Sequence, residues 1–409
     1  MSLLPKSYIK ALSQRNFFVL IIITFLGQIA TAFLLLTLII NVYLKTESNF
    51  AVSGVIVSST LPGFFLMAIA GLCADLFDRK KIILIANTII AGVVFLILTS
   101  INKIYTAIPL MFLYYGVNSF FMMAAAGASA QVVSKKNLLA SNSIFVFCIA
   151  GGQVLGLMIA ALLHYFFGSF VTIFICEILL ILAAVFSFLL PKLPPRENKG
   201  ITIVLALVKI WKVFSYIFSR KKTWFFFVML AFMQGLIAFG VTLAPGFFRE
   251  ILGIGINKSL ILAFPLVGIG STIGAIFVQN PKIREGKFLS IGIAAVGVPG
   301  LILGLALAFG VPGKFLLLPI CFYLVLLGFG VISSMIASRT VLQKLIPHNY
   351  QGSVFGANTI LYSFMASIFS PLSAGLQALF GYDFLLIVGG LVFSFGFIML
   401  AYGGNKWKF

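Results

Sequence analysis

The chain has 409 residues, of which 62% are hydrophobic and 9% are charged, and its formal net charge is +20 at pH 7. Soluble domains carry about 25% charged residues, so this composition excludes an ordinary soluble globular protein. Apolar runs of about 20 residues recur along the whole chain, and a helix of that length crosses a bilayer core of about 30 Å. We therefore predict an all-α polytopic membrane protein.

The apolar runs predict twelve transmembrane helices. The predicted spans are residues 17–44, 51–74, 82–101, 104–131, 138–165, 169–190, 223–248, 258–280, 287–309, 314–342, 351–380 and 383–402. The first run is too long for the apolar core of a signal peptide, so we expect it to be retained as the first helix.

The basic residues are strongly biased towards one side of the predicted spans. Of the 28 Lys and Arg residues, 23 lie at the two termini, in the loops after spans 2, 4, 6 and 8, and at the end of span 10. Cytoplasmic loops carry such an excess, so the bias places both termini in the cytoplasm of a cell (inner or plasma) membrane. The net charge then reflects topology and attraction to anionic lipid rather than nucleic-acid binding.

One further apolar segment, residues 201–219, is not predicted to cross the membrane. Clusters of basic residues flank it on both sides, and both clusters favour the cytoplasm. The segment is therefore predicted to be an interfacial helix on the inner leaflet. The chain divides into an N-terminal six-helix half at 1–190, a cytoplasmic linker with the interfacial helix at 191–222, and a C-terminal six-helix half at 223–409.

The two halves resemble copies of one another. "FLGQIA" with Gln28 in span 1 is echoed by "FMQGLI" with Gln234 in span 7, and "FFG" after span 5 is echoed by "LFG" after span 11. Two six-helix repeats in the same orientation, joined by a basic linker, are a transporter architecture.

The segment "GLCADLFDRKK", residues 71–81, lies at the end of span 2 and is the densest charged stretch in the first half of the chain. It closely resembles the signature of the major facilitator superfamily (MFS) between helices 2 and 3. "SQRNFFVLIIITFLGQ" (13–28) and "LIPHNYQGSVFGANTI" (345–360) are similar to the drug and macrolide efflux branch of that superfamily. The resemblance implies the twelve-helix MFS fold.

The signature residues predict a conformational latch on the cytoplasmic side. Gly71 has no side chain and would let span 2 approach a neighbour closely. Asp75 would meet the positive end of the helix dipole at the start of span 11. Arg79, Lys80 and Lys81 would anchor the loop at the inner leaflet. The alternative is a solvated turn whose charges only set the topology.

Proton coupling has one candidate residue, and two features argue against a standard antiport mechanism. Phe112 replaces the arginine that many drug antiporters of the superfamily carry in helix 4, and Leu157 replaces the proline of their helix 5 signature. Glu177 is the one acid placed inside the hydrocarbon, where a charge costs about 3 kcal/mol or more. It is either the proton carrier or a neutral acid at a helix interface.

The substrate cavity is expected among uncharged polar residues of the helices that line it in the family. The candidates are Gln28, Asn118, Gln234, Ser333, Ser334, Asn358 and Tyr362. Each has an alternative role as a hydrogen-bonding residue between helices. With 45 phenylalanines and no clear charge pair in the cavity helices, the sequence favours an apolar or amphipathic substrate.

The resemblance implies a secondary active transporter that works by alternating access and exports hydrophobic or amphipathic small molecules, with the proton as the candidate coupling ion of an antiporter. No GxxxxGK[ST] loop occurs, which argues against direct ATP drive. We expect no enzyme activity, cofactor, metal site or nucleic-acid partner, and a monomer in contact with membrane lipids. A lysophospholipid or other lipid flippase of the same fold is the alternative, and a non-transporting membrane sensor is the third hypothesis.

Overall fold

The computed structural model describes residues 6–101, 103–133, 138–195, 214–279 and 285–403. Most of the predicted interfacial helix at 201–219 lies outside these residues, and residues 214–218 of it are helical.

Apart from residues 214–218, the helical residues of the described part of the chain form eleven helices. They are α1 (Lys6–Leu12), α2 (Arg15–Thr46), α3 (Asn49–Leu76), α4 (Arg79–Thr99), α5 (Ile104–Gln131), α6 (Leu138–Phe188), α7 (Lys221–Leu252), α8 (Ile256–Phe277), α9 (Glu285–Ala308), α10 (Gly313–Leu345) and α11 (His348–Gly403). Among these residues, ten helices are long and apolar enough to cross a membrane.

Two of the ten helices are broken by a glycine, which brings the number of spans to twelve. Gly168 interrupts α6 at φ 77°, ψ −177°, and Gly381 interrupts α11 at φ 82°, ψ 174°. This backbone region is essentially restricted to glycine, because a Cβ atom would clash there. The breaks fall in the predicted gaps between spans 5 and 6 and between spans 11 and 12. They confirm the twelve-span, two-repeat fold, and they show why "FFG" and "LFG" recur.

The chain forms two compact units. Unit 1 contains Met1–Leu44 and Ser58–Lys209, and unit 2 contains Lys45–Val57 and Ile210–Phe409. Unit 2 therefore includes a short segment from the first half of the sequence, which comprises the end of α2 and the first turns of α3.

Unit 1 is built around α2, which is largely buried. The first part of α6 packs directly against it at two glycines. A Cβ atom at Gly156 would lie 2.7 Å from Ala32 Cβ and 2.9 Å from Ile29 Cα, and one at Gly152 would lie 3.0 Å from Gln28 Cβ. Small residues allow helix backbones to approach in membranes, so Gly152 and Gly156 let α6 pack closely on α2.

Unit 2 contains glycine seams, which we define as helix contacts where a glycine meets a neighbouring backbone. A Cβ atom at Gly270 of α8 would collide with the carbonyl oxygen of Val325 on α10. A Cβ atom at Gly390 of α11 would lie 2.5 Å from the backbone nitrogen of Leu301 on α9. Because lipid gives helices no hydrophobic reason to associate, such close van der Waals packing stabilises the unit.

The helix ends give a test of the predicted topology. Lys192 and Lys221 are exposed near the two ends of the linker, and Lys314 is exposed at the start of α10. A membrane-impermeant maleimide should label Lys314→Cys in intact cells. It should label Lys192→Cys and Lys221→Cys only after permeabilisation. Labelling of either linker position in intact cells would contradict the cytoplasmic placement of the linker.

Candidate functional site

The signature loop connects α3 to α4 and is fastened to the chain that follows α6. Asp78 is the N-cap of α4, and its Oδ1 accepts hydrogen bonds from the backbone nitrogens of Lys80 (2.9 Å) and Leu193 (3.1 Å). The backbone nitrogen of Arg79 donates to the carbonyl oxygen of Leu193 at 3.0 Å. The loop is therefore an ordered element of unit 1 that is hydrogen-bonded to the chain after α6.

Arg79 lies inside unit 1, with 4% of its side chain exposed. Its Nε donates to the carbonyl oxygen of Ala74 at 2.9 Å, and its Nη2 lies 3.2 Å from Asp75 Oδ1. A Cβ atom at Gly127 of α5 would lie 2.6 Å from Arg79 Nε. The guanidinium group thus occupies the space that the glycine leaves free. A buried charge requires such pairing, because desolvation is costly.

This placement corrects the sequence interpretation, in which Arg79 anchors the loop at the inner leaflet. Lys80 also contacts unit 1, since its Nζ donates to the carbonyl oxygen of Phe188 at 2.9 Å, at the negative end of the α6 dipole. Lys81 is exposed. The role of Gly127 was missed, although the small-residue run "AAAGASA" around it signals a tightly packed helix.

Gly71 and Asp75 differ in how they fit the predicted latch. A Cβ atom at Gly71 would find its nearest neighbour, Met123 Sδ, at 3.9 Å, which is ordinary van der Waals contact. Within the described part of the chain, Gly71 therefore does not make the close helix approach that was expected of it. The Asp75 side chain is 50% exposed and forms an i,i+4 ion pair with Arg79. Its predicted contact with the start of span 11 would join the two units and stays a prediction.

The cavity candidates of unit 1 belong to a polar seam between α2 and α5. Gln28 is buried, and its Nε2 donates to Met122 Sδ at 3.3 Å. The buried hydroxyl groups of Thr31 and Tyr114 lie 2.9 Å apart. Asn118 is half-buried and lies on the same face of α5, because it is four residues from both Tyr114 and Met122. Tyr114 was not predicted from the sequence, although it lies four residues before the candidate Asn118 and so on the same face of the helix.

Glu177 is buried in the second part of α6, with 8% of the residue exposed. Its Oε2 has no hydrogen-bond partner among the described residues. The neighbouring Cys176 donates from its Sγ to the carbonyl oxygen of Ala30 on α2 at 3.2 Å, so this part of α6 packs against α2. Glu177 therefore presents a carboxyl oxygen without a hydrogen-bond partner at a contact between apolar helices.

The cavity candidates of unit 2 lie mainly at contacts between helices. Ser333 and Ser334 are fully buried on α10. A Cβ atom at Gly274 of α8 would lie 2.8 Å from Ser333 Oγ, and one at Gly292 of α9 would lie 2.5 Å from Ser334 Oγ. These serines therefore occupy glycine seams, which suits the alternative role as helix-packing residues.

Three further candidates lie on α7 and α11. Asn358 is buried and donates from its Nδ2 to the carbonyl oxygen of Phe227 at 2.8 Å, so it joins these two helices. Gln234 and Tyr362 are half-buried. Gln234 Oε1 is buried with no hydrogen-bond partner in the described part of the chain, which leaves this amide oxygen able to accept a bond from a ligand.

The Arg79 site predicts opposite effects for two glycine substitutions in unit 1. Gly127→Ala should force Arg79 off its partners and lower the free energy of unfolding by about 1–3 kcal/mol, as overpacking does. Gly92→Ala is the matched control, because Gly92 is a helical glycine of α4 with no atom within 4 Å of the added Cβ. Alanine there should leave the melting temperature of the purified protein unchanged or raise it slightly. Equal melting temperatures for the two variants would contradict the tight fit around Arg79.

Comparisons with known proteins agree with this architecture. The search of curated protein sequences found no match. Among solved structures, the chain is similar to a POT family transporter in complex with 5-aminolevulinic acid (TM-score 0.76, 12% identity, covering 96% of both chains). It is also similar to the POT family transporter PepTSo (0.71, 13%, covering 96% of this chain and 98% of the other). A third similar structure is the nucleoside transporter NupG (0.69, 16%, covering 94% and 99%).

The solved structures share the fold at low sequence identity, and the family assignment comes from the sequence. Residues 17–371 match the family model described as Major Facilitator Superfamily. This range includes the signature loop, the Gly168 break and eleven of the twelve predicted spans at least in part. The chain belongs to the major facilitator superfamily.

Proposed function

We propose that the protein is a secondary active transporter that exports hydrophobic or amphipathic small molecules by alternating access, as in drug and macrolide efflux. Family membership and two six-helix repeats support a transporter. The polar seam between α2 and α5 is the observation that carries the substrate class. Gln28, Thr31 and Tyr114 are neutral hydrogen-bonding residues buried between otherwise apolar helices. A binding site with few neutral polar groups among apolar residues suits a substrate with a large apolar area and few polar groups.

The comparisons and the apolar character of the helices shape the alternatives. The similar solved structures are a nucleoside transporter and POT family transporters, one of them with 5-aminolevulinic acid, so polar substrates belong in any test. A lysophospholipid flippase is the other candidate, because an apolar helix surface with a few neutral polar groups also suits a lipid with one acyl chain. Both readings place the protein in the plasma membrane with cytoplasmic termini.

A panel of compounds in proteoliposomes tests the substrate class. Purified protein should move an amphipathic dye such as ethidium and the macrolide erythromycin faster than protein-free liposomes do, and an imposed pH gradient should increase the movement. Transport of a fluorescent lysophospholipid alone would favour the flippase. Transport of uridine or dialanine alone would contradict the apolar substrate class. If no panel compound moves, the sensor hypothesis gains support.

We propose that Glu177 is the proton-responsive group and that Asp75 acts in closing the cytoplasmic side. The two acids are well suited to comparison, since both lie in unit 1 but in opposite surroundings. Glu177 is buried among apolar helices, and its Oε2 has no hydrogen-bond partner among the described residues. Asp75 is half-exposed and ion-paired at a helix end.

Acid-to-amide substitutions separate the two roles. Glu177→Gln keeps the side-chain size but fixes the neutral form, so it should abolish accumulation of a transported panel compound against its gradient while leaving exchange largely intact. Asp75→Asn should slow accumulation and exchange alike, because it weakens a step of the conformational cycle. Both rates are measured in proteoliposomes with and without a pH gradient. Accumulation at the wild-type level by Glu177→Gln would make that residue structural, and wild-type rates for Asp75→Asn would refute the latch.

A further inference from the structure

The residues beside the Gly381 break form a polar cluster in unit 2 that the sequence analysis did not anticipate. Its centre is Asn49, the first residue of α3, of which 5% is exposed. Asn49 Nδ2 donates to Gln377 Oε1 at 3.0 Å and to Tyr382 Oη at 2.7 Å. Tyr382 Oη in turn lies 3.5 Å from Glu250 Oε1 of α7. We call Asn49, Glu250, Gln377 and Tyr382 the Asn49 cluster.

Gly246 of α7 makes the room for this cluster. A Cβ atom at Gly246 would collide with Tyr382 Oη and would lie 2.6 Å from Asn49 Nδ2. The start of α3 is thereby seated on α7 and α11 through polar side chains. In the glycine seams of unit 2, by contrast, backbone meets backbone.

A second contact fastens the same segment. Glu47 pairs with Arg249 of α7 at 2.6 Å. Glu47 has a φ of 50° and is the one non-glycine residue with positive φ in the described part of the chain. Non-glycine residues rarely adopt this left-handed backbone conformation. Where they do, surrounding contacts enforce it, and such residues are common at switch regions.

Unit 1 has a counterpart at its own broken helix. Ser169 follows Gly168 as Tyr382 follows Gly381, and its Oγ lies 3.0 Å from His164 Nε2 and donates to Asn41 Oδ1 of α2. His164 precedes Gly168 by the same interval as Gln377 precedes Gly381. In unit 1 all three partners come from the first half of the sequence. In unit 2 the central residue, Asn49, also comes from the first half, although the rest of the cluster comes from the second.

We propose that the Asn49 cluster is a releasable clasp, which holds the first turns of α3 on α7 and α11 in one conformational state and lets them go in another. The inference rests on the proposed function, because alternating access requires the two halves of the sequence to part at one side at a time. Interhelical hydrogen bonds in membranes are individually weak, so a contact made of a few of them can be broken and remade. Release would also relieve the backbone strain at Glu47.

The clasp can be tested by thiol labelling, without any substrate. Ser53 of α3 is 2% exposed and belongs to the segment held in unit 2. A water-soluble maleimide should label Ser53→Cys slowly in the purified protein. Adding Gly246→Ala should speed the labelling about eightfold, the effect of losing roughly two interhelical hydrogen bonds. Tyr382→Phe should act in the same direction. It removes the hydroxyl group but keeps the ring, which packs edge-on against Phe247.

The chain offers a matched control and an internal check of folding. Gly240→Ala changes another glycine of α7, where the added Cβ meets nothing within 4 Å, and should leave the labelling rate unchanged. Native Cys176 is fully buried in unit 1 and should stay unlabelled throughout, as read by mass spectrometry. If Cys176 becomes labelled in Gly246→Ala, that variant has unfolded. The labelling rate of Ser53→Cys with Tyr382→Phe then tests the clasp instead.

Equal labelling rates for Ser53→Cys with and without Tyr382→Phe would overturn the clasp, as would equal effects of Gly246→Ala and Gly240→Ala in folded protein. The outcome is independent of the transport panel. Failure of every panel compound to move would count against the proposed function and leave the labelling result standing. A failed clasp would leave measured transport standing.

Discussion

A polar group inside a bilayer must find its partner within the protein, because lipid offers none. In this chain, glycines make the room for those partners. Arg79 fits where Gly127 has no side chain, and Asn49 and Tyr382 meet over Gly246. The glycines of the seams in unit 2 act differently, because they bring helix backbones into direct contact and leave no gap between them.

The spans and their breaks were predictable because their causes are local. A run of about 20 apolar residues is visible in the sequence, and so is an isolated "FFG" or "LFG" between two such runs. Gly168 and Gly381 lie in those gaps, with the glycine-only backbone that a tight break requires. The family resemblance of the signature loop was likewise carried by adjacent residues, and the family match over residues 17–371 confirms it.

The partners of the polar side chains could not be predicted, because they are distant in sequence. Arg79 meets Gly127 on another helix, and Asn49 meets Gln377 more than 300 positions later. Hydropathy tells which residues face an apolar medium, but it does not tell which faces of two helices meet. Charge patterning therefore placed Arg79 at the lipid surface, whereas in the structure its hydrogen bonds compensate for the cost of burying it. Ser333 and Ser334 illustrate the same limit, since a hydroxyl group has the same sequence signature in a cavity wall and in a glycine seam.

The contacts of the structure fall into two physical kinds, and a transporter needs both. A glycine seam gains its stability from many small van der Waals terms that vanish together when the backbones separate, so it favours helices that move as one body. The Asn49 cluster consists of a few directional bonds that water can replace once the site opens, so its rupture costs little. Seams join α8, α9, α10 and α11 of unit 2 to one another. The start of α3 is held there by the cluster and by the Glu47–Arg249 ion pair. The start of α3 comes from the first half of the sequence. It is thus attached to the rest of unit 2 by hydrogen bonds and an ion pair, which water can replace.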